Sequence, residues 1–150
     1  MLKYEKETTD ILIENAKKSD RKRLHYNFHK TNEEKLQRFL NAIEPESYVR
    51  PHKHLDTIEV FIIFKGKVAL FTYDDNGEVT DKVVLEPGKT PGVEIPVNMW
   101  HSMMALEENS VLYIIMEGPY IADSHKRFPD WAPEESTKGK EFMKKLRSKL

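Results

Sequence analysis

Between residues 24 and 117 apolar positions either alternate with polar ones or run together for a few residues, and Gly, Pro or Asn interrupts them at short intervals. Alternation over 24–28 predicts a strand, and 48–54, 58–64, 67–73, 79–85, 93–95, 100–105 and 111–117 continue the pattern. Gly66, Asp74-Asp75-Asn76-Gly77, Pro87-Gly88, Pro96-Val97-Asn98 and Glu107-Glu108-Asn109-Ser110 supply the turns, Asn-Gly being a strong hairpin signal. Strand 58–64 is apolar on both faces apart from Glu59, as in a sheet covered on both sides. Three segments read as helices. Residues 8–18 place Ile11, Leu12, Ile13 and Ala16 behind a cap at Thr9 or Asp10. Residues 31–43 combine a capping box (Thr31, Glu34) with a stripe of Leu36, Phe39, Leu40 and Ile43, stopped by Pro45. Residues 140–150 form a basic helix with Phe142, Met143, Leu146 and Leu150 on one face. Between Pro119 and Pro133 the chain is irregular and long for a structureless loop, as lids over sites tend to be. Many short strands with frequent turns predict an all-β sandwich or barrel with flanking helices.

At 150 residues the chain has the length of one domain and can bury a full core without staples. It contains no Cys, which removes disulfides, thiolate metal sites and Cys nucleophiles and leaves His and carboxylate as metal ligands. A net charge of −1 gives no bulk attraction for nucleic acid or an anionic membrane. The first residues, MLKYEKETTD, lack the apolar run of a signal peptide, and no segment has the apolar length of a membrane span. The expected location is the cytoplasm. No internal repeat, phosphate loop or Ser-His-Asp set can be assembled.

The chemistry concentrates in Pro51-His52-Lys53-His54 and in the strand that begins at Ile58. His52 and His54 share one face of a strand, while Glu59 stands at an odd offset, so the chain must bend near Leu55-Asp56-Thr57 for the three to meet. A lone carboxylate in an apolar strand needs a positive partner, and two imidazoles with a carboxylate suit a divalent cation. His101, directly after the turn at Pro96, offers a fourth ligand. Tyr48, four residues before His52, would point into the barrel beside it, whereas Arg50 and Lys53 lie on the opposite face. His25, His29 and His125 have no partner at ligand spacing and read as surface or supporting residues. Strand 58–64 also leaves an outward row of Ile58, Val60, Ile62 and Phe64 that a homodimer would cover.

The motif HxH, four residues, Glu59, six residues, Gly66, and then Pro96-x-Asn98-x-x-His101 resembles the paired metal motifs of the cupin superfamily. More narrowly, from about residue 12 to 135, the chain resembles WbuC-type cupin metalloproteins of bacterial surface-polysaccharide genes. That match is carried by Ser19, Arg21, Arg23, Asn27, His29, Gln37-Arg38, 47–54, Glu94-Ile95-Pro96, Trp100-His101, 117–120, Lys126 and 131–134. Glu46, Asn98 and Ala105 depart from the general cupin pattern, and none of them is a ligand; Asn98 tolerates the left-handed conformation a turn needs. The resemblance implies a cupin double-stranded β-helix (jelly-roll barrel) in a single domain, 1–150. An N-terminal segment (1–46) and a C-terminal wrap and helix (119–150) would flank a barrel core at 47–118. It implies one divalent metal (Zn, Fe, Mn or Ni) on His52, His54, Glu59 and His101. Substrate-binding candidates are Arg21, Arg23, His29, Tyr48, Tyr120 and Lys126, with no catalytic residue assigned. The expected ligand is an anionic or polyhydroxylated small molecule, a sugar of surface polysaccharide. Lewis-acid isomerase, epimerase or hydrolase chemistry leads; an Fe(II) dioxygenase and a non-catalytic sugar-binding module are the alternatives.

Overall fold

The structure, a computed structural model, describes residues 1–135 and 137–150. The elements run α1 (Lys6–Lys18), β1 (Arg23–Asn27), β2 (Leu36–Ile43), β3 (Glu59–Lys65), β4 (Val68–Tyr73), β5 (Val79–Leu85), β6 (Gly92–Ile95), β7 (Trp100–Ala105), β8 (Ser110–Glu117), α2 (Ala122–His125) and α3 (Thr137–Arg147). They form two antiparallel sheets, ordered β1-β2-β8-β3-β6 and β5-β4-β7, which is the expected jelly-roll class. No described helix is long and apolar enough to cross a membrane.

The core lies where the inward positions of the two sheets meet. Ile43, Phe61, Ile63, Leu112 and Ile114 come from the larger sheet, and Val68, Leu70 and Leu85 from the smaller. Each such side chain, once buried, contributes about 1.5–3 kcal/mol. The outer faces are covered separately. Leu12, Ile13 and Ala16 of α1 pack on Leu40 and Ala42 of β2 and Val111 of β8. Ala69, Phe71, Tyr73 and Met104 of the smaller sheet are covered by Leu146, Phe142 and Met143 of α3 and by Trp131. Gly66 turns β3 into β4 at φ +76°, and an added Cβ there would lie 2.3 Å from the Ser110 hydroxyl, so both conformation and space demand glycine.

Three expectations are corrected. Residues 31–43 are not a helix: β2 starts at Leu36, and Glu34 uses its carboxylate to accept the Lys30 N–H at 2.6 Å in a turn. Because β2 lies between β1 and β8 with α1 behind it, both its faces are buried, and helical and extended spacing look alike in such a strand. β1 and β2 are two of the five strands of the larger sheet. Residues 48–54 do not form a continuous strand but meet β7 in one isolated bridge, His52 to His101. This irregularity turns Tyr48 away from the barrel. Its hydroxyl donates to the Pro133 carbonyl at 2.8 Å, its ring meets Phe142, and Gly139 leaves room for it.

Candidate metal centre

Four buried side chains, His52, His54, Glu59 and His101, each present a ligand atom within 4.8 Å of the others. Glu59 is the first residue of β3 and faces inward with Phe61 and Ile63. His101 on β7 and His52 are locked side by side by reciprocal backbone bonds, His52 N–H to His101 carbonyl at 3.0 Å and the reverse at 2.9 Å. The bend expected at Leu55-Asp56 is present and lets His54 approach Glu59. Asn98 holds this loop by donating its N–H to the His54 carbonyl at 2.6 Å, and it takes the left-handed conformation expected of it, φ 61°.

Each imidazole is oriented by its far nitrogen. His52 Nδ1 donates to the Arg50 carbonyl at 2.9 Å, His101 Nδ1 to the Met99 carbonyl at 2.9 Å, and His54 Nδ1 to the His125 carbonyl at 2.6 Å. A carbonyl only accepts, so all three rings carry a proton on Nδ1 and turn Nε2 to a common point. Around that point Glu59 Oε2 lies 3.0 Å from His101 Nε2 and 3.3 Å from His54 Nε2. Among the described residues the Nε2 atoms of His52 and His54 have no hydrogen-bond partner. Protons on Nε2 would satisfy Glu59 but leave His52 unexplained. A cation shared by three bare nitrogens and one carboxylate oxygen uses every atom, so the donor set fits a divalent metal. When no cation is bound, burial opposes the Glu59 carboxylate, but N–H donation from His101 and His54 with the charge of Lys126 outweighs it and holds the group well below the usual carboxylate range; a cation would replace those protons and keep the carboxylate ionised. Burial, with Lys126 and His101, keeps His52 well below the ordinary imidazole value and so in the neutral form a ligand needs.

The cluster opens on a cavity of about 520 Å³. One wall comes from β1 and β2 (Arg23, His25, Asn27, Gln37, Phe39, Asn41), and Tyr120, His125, Lys126 and Phe128 of the C-terminal segment form another. That segment is tied down by paired backbone bonds between Lys53 and Arg127 at 3.0 Å each, and it also supplies the carbonyl that orients His54. Of the substrate-binding candidates, Arg21, Arg23, His29, Tyr120 and Lys126 line the cavity, and Tyr48 does not. Their freedom differs. Arg23 donates to Ser47 Oγ at 3.1 Å and the Tyr48 carbonyl at 2.9 Å and pairs with Glu135, to which Arg21 lies 3.8 Å away. His29 Nδ1 accepts the Arg38 N–H at 3.1 Å. Lys126 has no ion pair among the described residues, and burial pushes its pKa down. Arg50 and Lys53 lie outside the cavity, over the rings of Phe128 and Trp100.

Sequence reasoning missed His25, Asn27, Gln37, Asn41 and Met103 as lining residues. The alternation in β1 would have placed His25 and Asn27 on the side of Arg23, but reading β2 as a helix hid Gln37 and Asn41.

A family model described as a domain of unknown function (DUF6016) matches residues 4–85, more than half of the chain. No curated protein matches the sequence. Among solved structures, the capsular polysaccharide assembling protein CapF from Staphylococcus aureus is similar with TM-score 0.62 at 22% identity, over 74% of this chain and 30% of CapF. KdgF from Halomonas sp. is similar with TM-score 0.53 at 18% identity, over 67% of this chain and 83% of KdgF. The Schizosaccharomyces pombe Cnp3 cupin domain is similar with TM-score 0.50 at 14% identity, over 63% of this chain and 64% of that domain. The chain thus spans less than a third of CapF. At these identities the likeness is one of fold, and the fold is that of the cupins.

Proposed function

The chain belongs to the DUF6016 family and has the cupin fold, and from that premise we propose that His52, His54, Glu59 and His101 hold one divalent metal at which a small oxygen-rich molecule binds and reacts. The observation that carries the reading is the convergence of three imidazole Nε2 atoms, each oriented by a carbonyl behind it, on Glu59 at the wall of the cavity. When bound, the metal would supply Lewis acidity and a lowered pKa for bound water. The chain's own residues do the rest. Three neutral imidazoles and one carboxylate leave the loaded centre at a net charge of about +1, which favours anionic or chelating oxygen ligands. Lys126 adds a cation without a protein partner among the described residues, while Phe61, Met103, Ile114 and Met116 add apolar lining that limits water.

The proposed substrate is a sugar or sugar acid related to surface polysaccharide, handled by isomerase-, epimerase- or hydrolase-like chemistry in the cytoplasm. The WbuC-type motifs support this, and the polysaccharide-assembling role in CapF's name agrees with it. Protein purified without affinity resin or chelator should contain about one divalent ion per chain by elemental analysis. Zinc or manganese supports the Lewis-acid reading, iron shifts it to an oxygenase, and absence of any metal leaves a sugar-binding module.

We also propose that the protein is a homodimer. Val60 and Ile62 are only half-covered on the outer face of β3, and Phe64 is exposed beside Tyr4 and Tyr113, beyond the reach of α1. Ile58 precedes the strand. Light scattering at tens of micromolar should return twice the chain mass, and a monomer would remove the proposal.

A further inference from the structure

Asn41 is 2% exposed, faces the cavity from the middle of β2, and its side chain makes no hydrogen bond with any described residue. Its Oδ1 is wholly buried and unpartnered. Gln37, on the same face of the same strand, shows what a structural amide does here: it donates to the carbonyls of Glu34, Asn32 and Thr31 at 2.8, 3.3 and 3.5 Å. A buried amide without partners destabilises a fold, so Asn41 is placed for something other than folding. Its direct cross-strand neighbour is His25 of β1, which lines the same cavity. Burial, followed by the charges of Lys126, Arg21 and Arg23, pushes the His25 pKa down to about 4, so at neutral pH its ring offers one N–H and one lone pair. Lys126 lines the same cavity as Asn41, His25 and the metal cluster, and its charge acts on Glu59, His52 and His25.

Building on the metal-site reading, we infer that the ligand is a polyhydroxylated carboxylate of about monosaccharide size, its hydroxyl groups read by Asn41 with His25 and its carboxylate received by Lys126. An amide oxygen needs a donor, and a neutral imidazole gives and takes one hydrogen bond; neighbouring sugar hydroxyls, each both donor and acceptor, meet that requirement. A simple carboxylate would satisfy Lys126 and leave Asn41 unpaired; a neutral sugar would do the reverse. The cavity, at about 520 Å³, has room for such a molecule.

Calorimetry on the protein as purified, with its metal content measured, would use galacturonate, galactose and cyclohexanecarboxylate as probes. Each of the last two lacks one of the two recognition features. Galacturonate should bind tightest. Asn41→Leu should weaken galacturonate roughly tenfold and leave cyclohexanecarboxylate within about twofold. Lys126→Met should weaken both carboxylates and spare galactose. Because the amide is unpartnered, Asn41→Leu should leave Tm unchanged or raise it by a few degrees, which no structural role for Asn41 would produce. A galacturonate affinity within about twofold of wild type in Asn41→Leu, a fall in Tm, or no binding of galacturonate overturns the inference. Protein without metal that still discriminates through Asn41 would refute the metal reading alone, and metal-loaded protein that does not discriminate would refute this inference alone.

Discussion

Replacing His54 with alanine is expected to strip the protein of most of its divalent metal while leaving the barrel folded. Two features concentrate the effect at this residue. Its Nε2 is one of the two orphaned imidazole nitrogens of the cluster, and its Nδ1 is the anchor that joins the 52–54 loop to the His125 carbonyl. Loss of a group that merely orients a metal ligand costs 10–100-fold in affinity as a rule, so loss of the ligand itself should cost at least roughly 100-fold. The fold should survive because His54 lies in a loop that Asn98 also holds by its backbone and that Lys53 ties to Arg127. The deletion leaves the His125 carbonyl without its donor, a cost of roughly 1–3 kcal/mol. Elemental analysis against circular dichroism separates the two effects. Full metal content in a folded His54→Ala protein would show that the cluster is not the binding site.

The candidate metal quartet was legible because its spacing has a simple physical meaning: HxH on one face, a bend, a carboxylate that could not be left alone in an apolar strand, and a turn delivering His101. Those constraints hold in any chain, and the structure brings the same four side chains together. The strands were legible for the same reason, since turn residues such as Gly66 and Asn76-Gly77 bracket them. What failed was β2. Its outward Leu40 and Ala42 meet α1, and its inward Phe39 and Ile43 meet the core, so no clean two-residue alternation remains to oppose the helical reading. Polar side chains facing a cavity look in sequence like polar side chains facing solvent. Asn41 was therefore hidden, His25 was marked only by its alternation with Arg23, and Tyr48 was misplaced because a same-face rule applies only where the backbone stays extended.

The second large effect expected is on stability. Arg23→Ala should lower Tm by roughly 5–10 °C without reducing metal content. The family resemblance makes Arg23 a substrate-binding candidate, and the structure gives its guanidinium another occupation. At 8% exposure it bridges three parts of the chain: its own strand β1, the 47–48 turn through Ser47 and the Tyr48 carbonyl, and the C-terminal wrap through Glu135. Ser47 closes the arrangement by donating to the Arg21 carbonyl at 2.8 Å. Truncation leaves the Tyr48 carbonyl and Ser47 without their charged donor, a loss of roughly 2–3 kcal/mol for the two bonds. The Glu135 pair adds little, because that carboxylate is 40% exposed and water can replace the guanidinium. Lysine should recover only part of the loss, since one ammonium cannot span acceptors that a planar fork reaches together. Thermal melts of wild type, Arg23→Ala and Arg23→Lys, each with metal content determined, check this. If Arg23→Ala melts with wild type but loses affinity for carboxylates, the guanidinium belongs to the ligand and not to the seam between the chain's two ends.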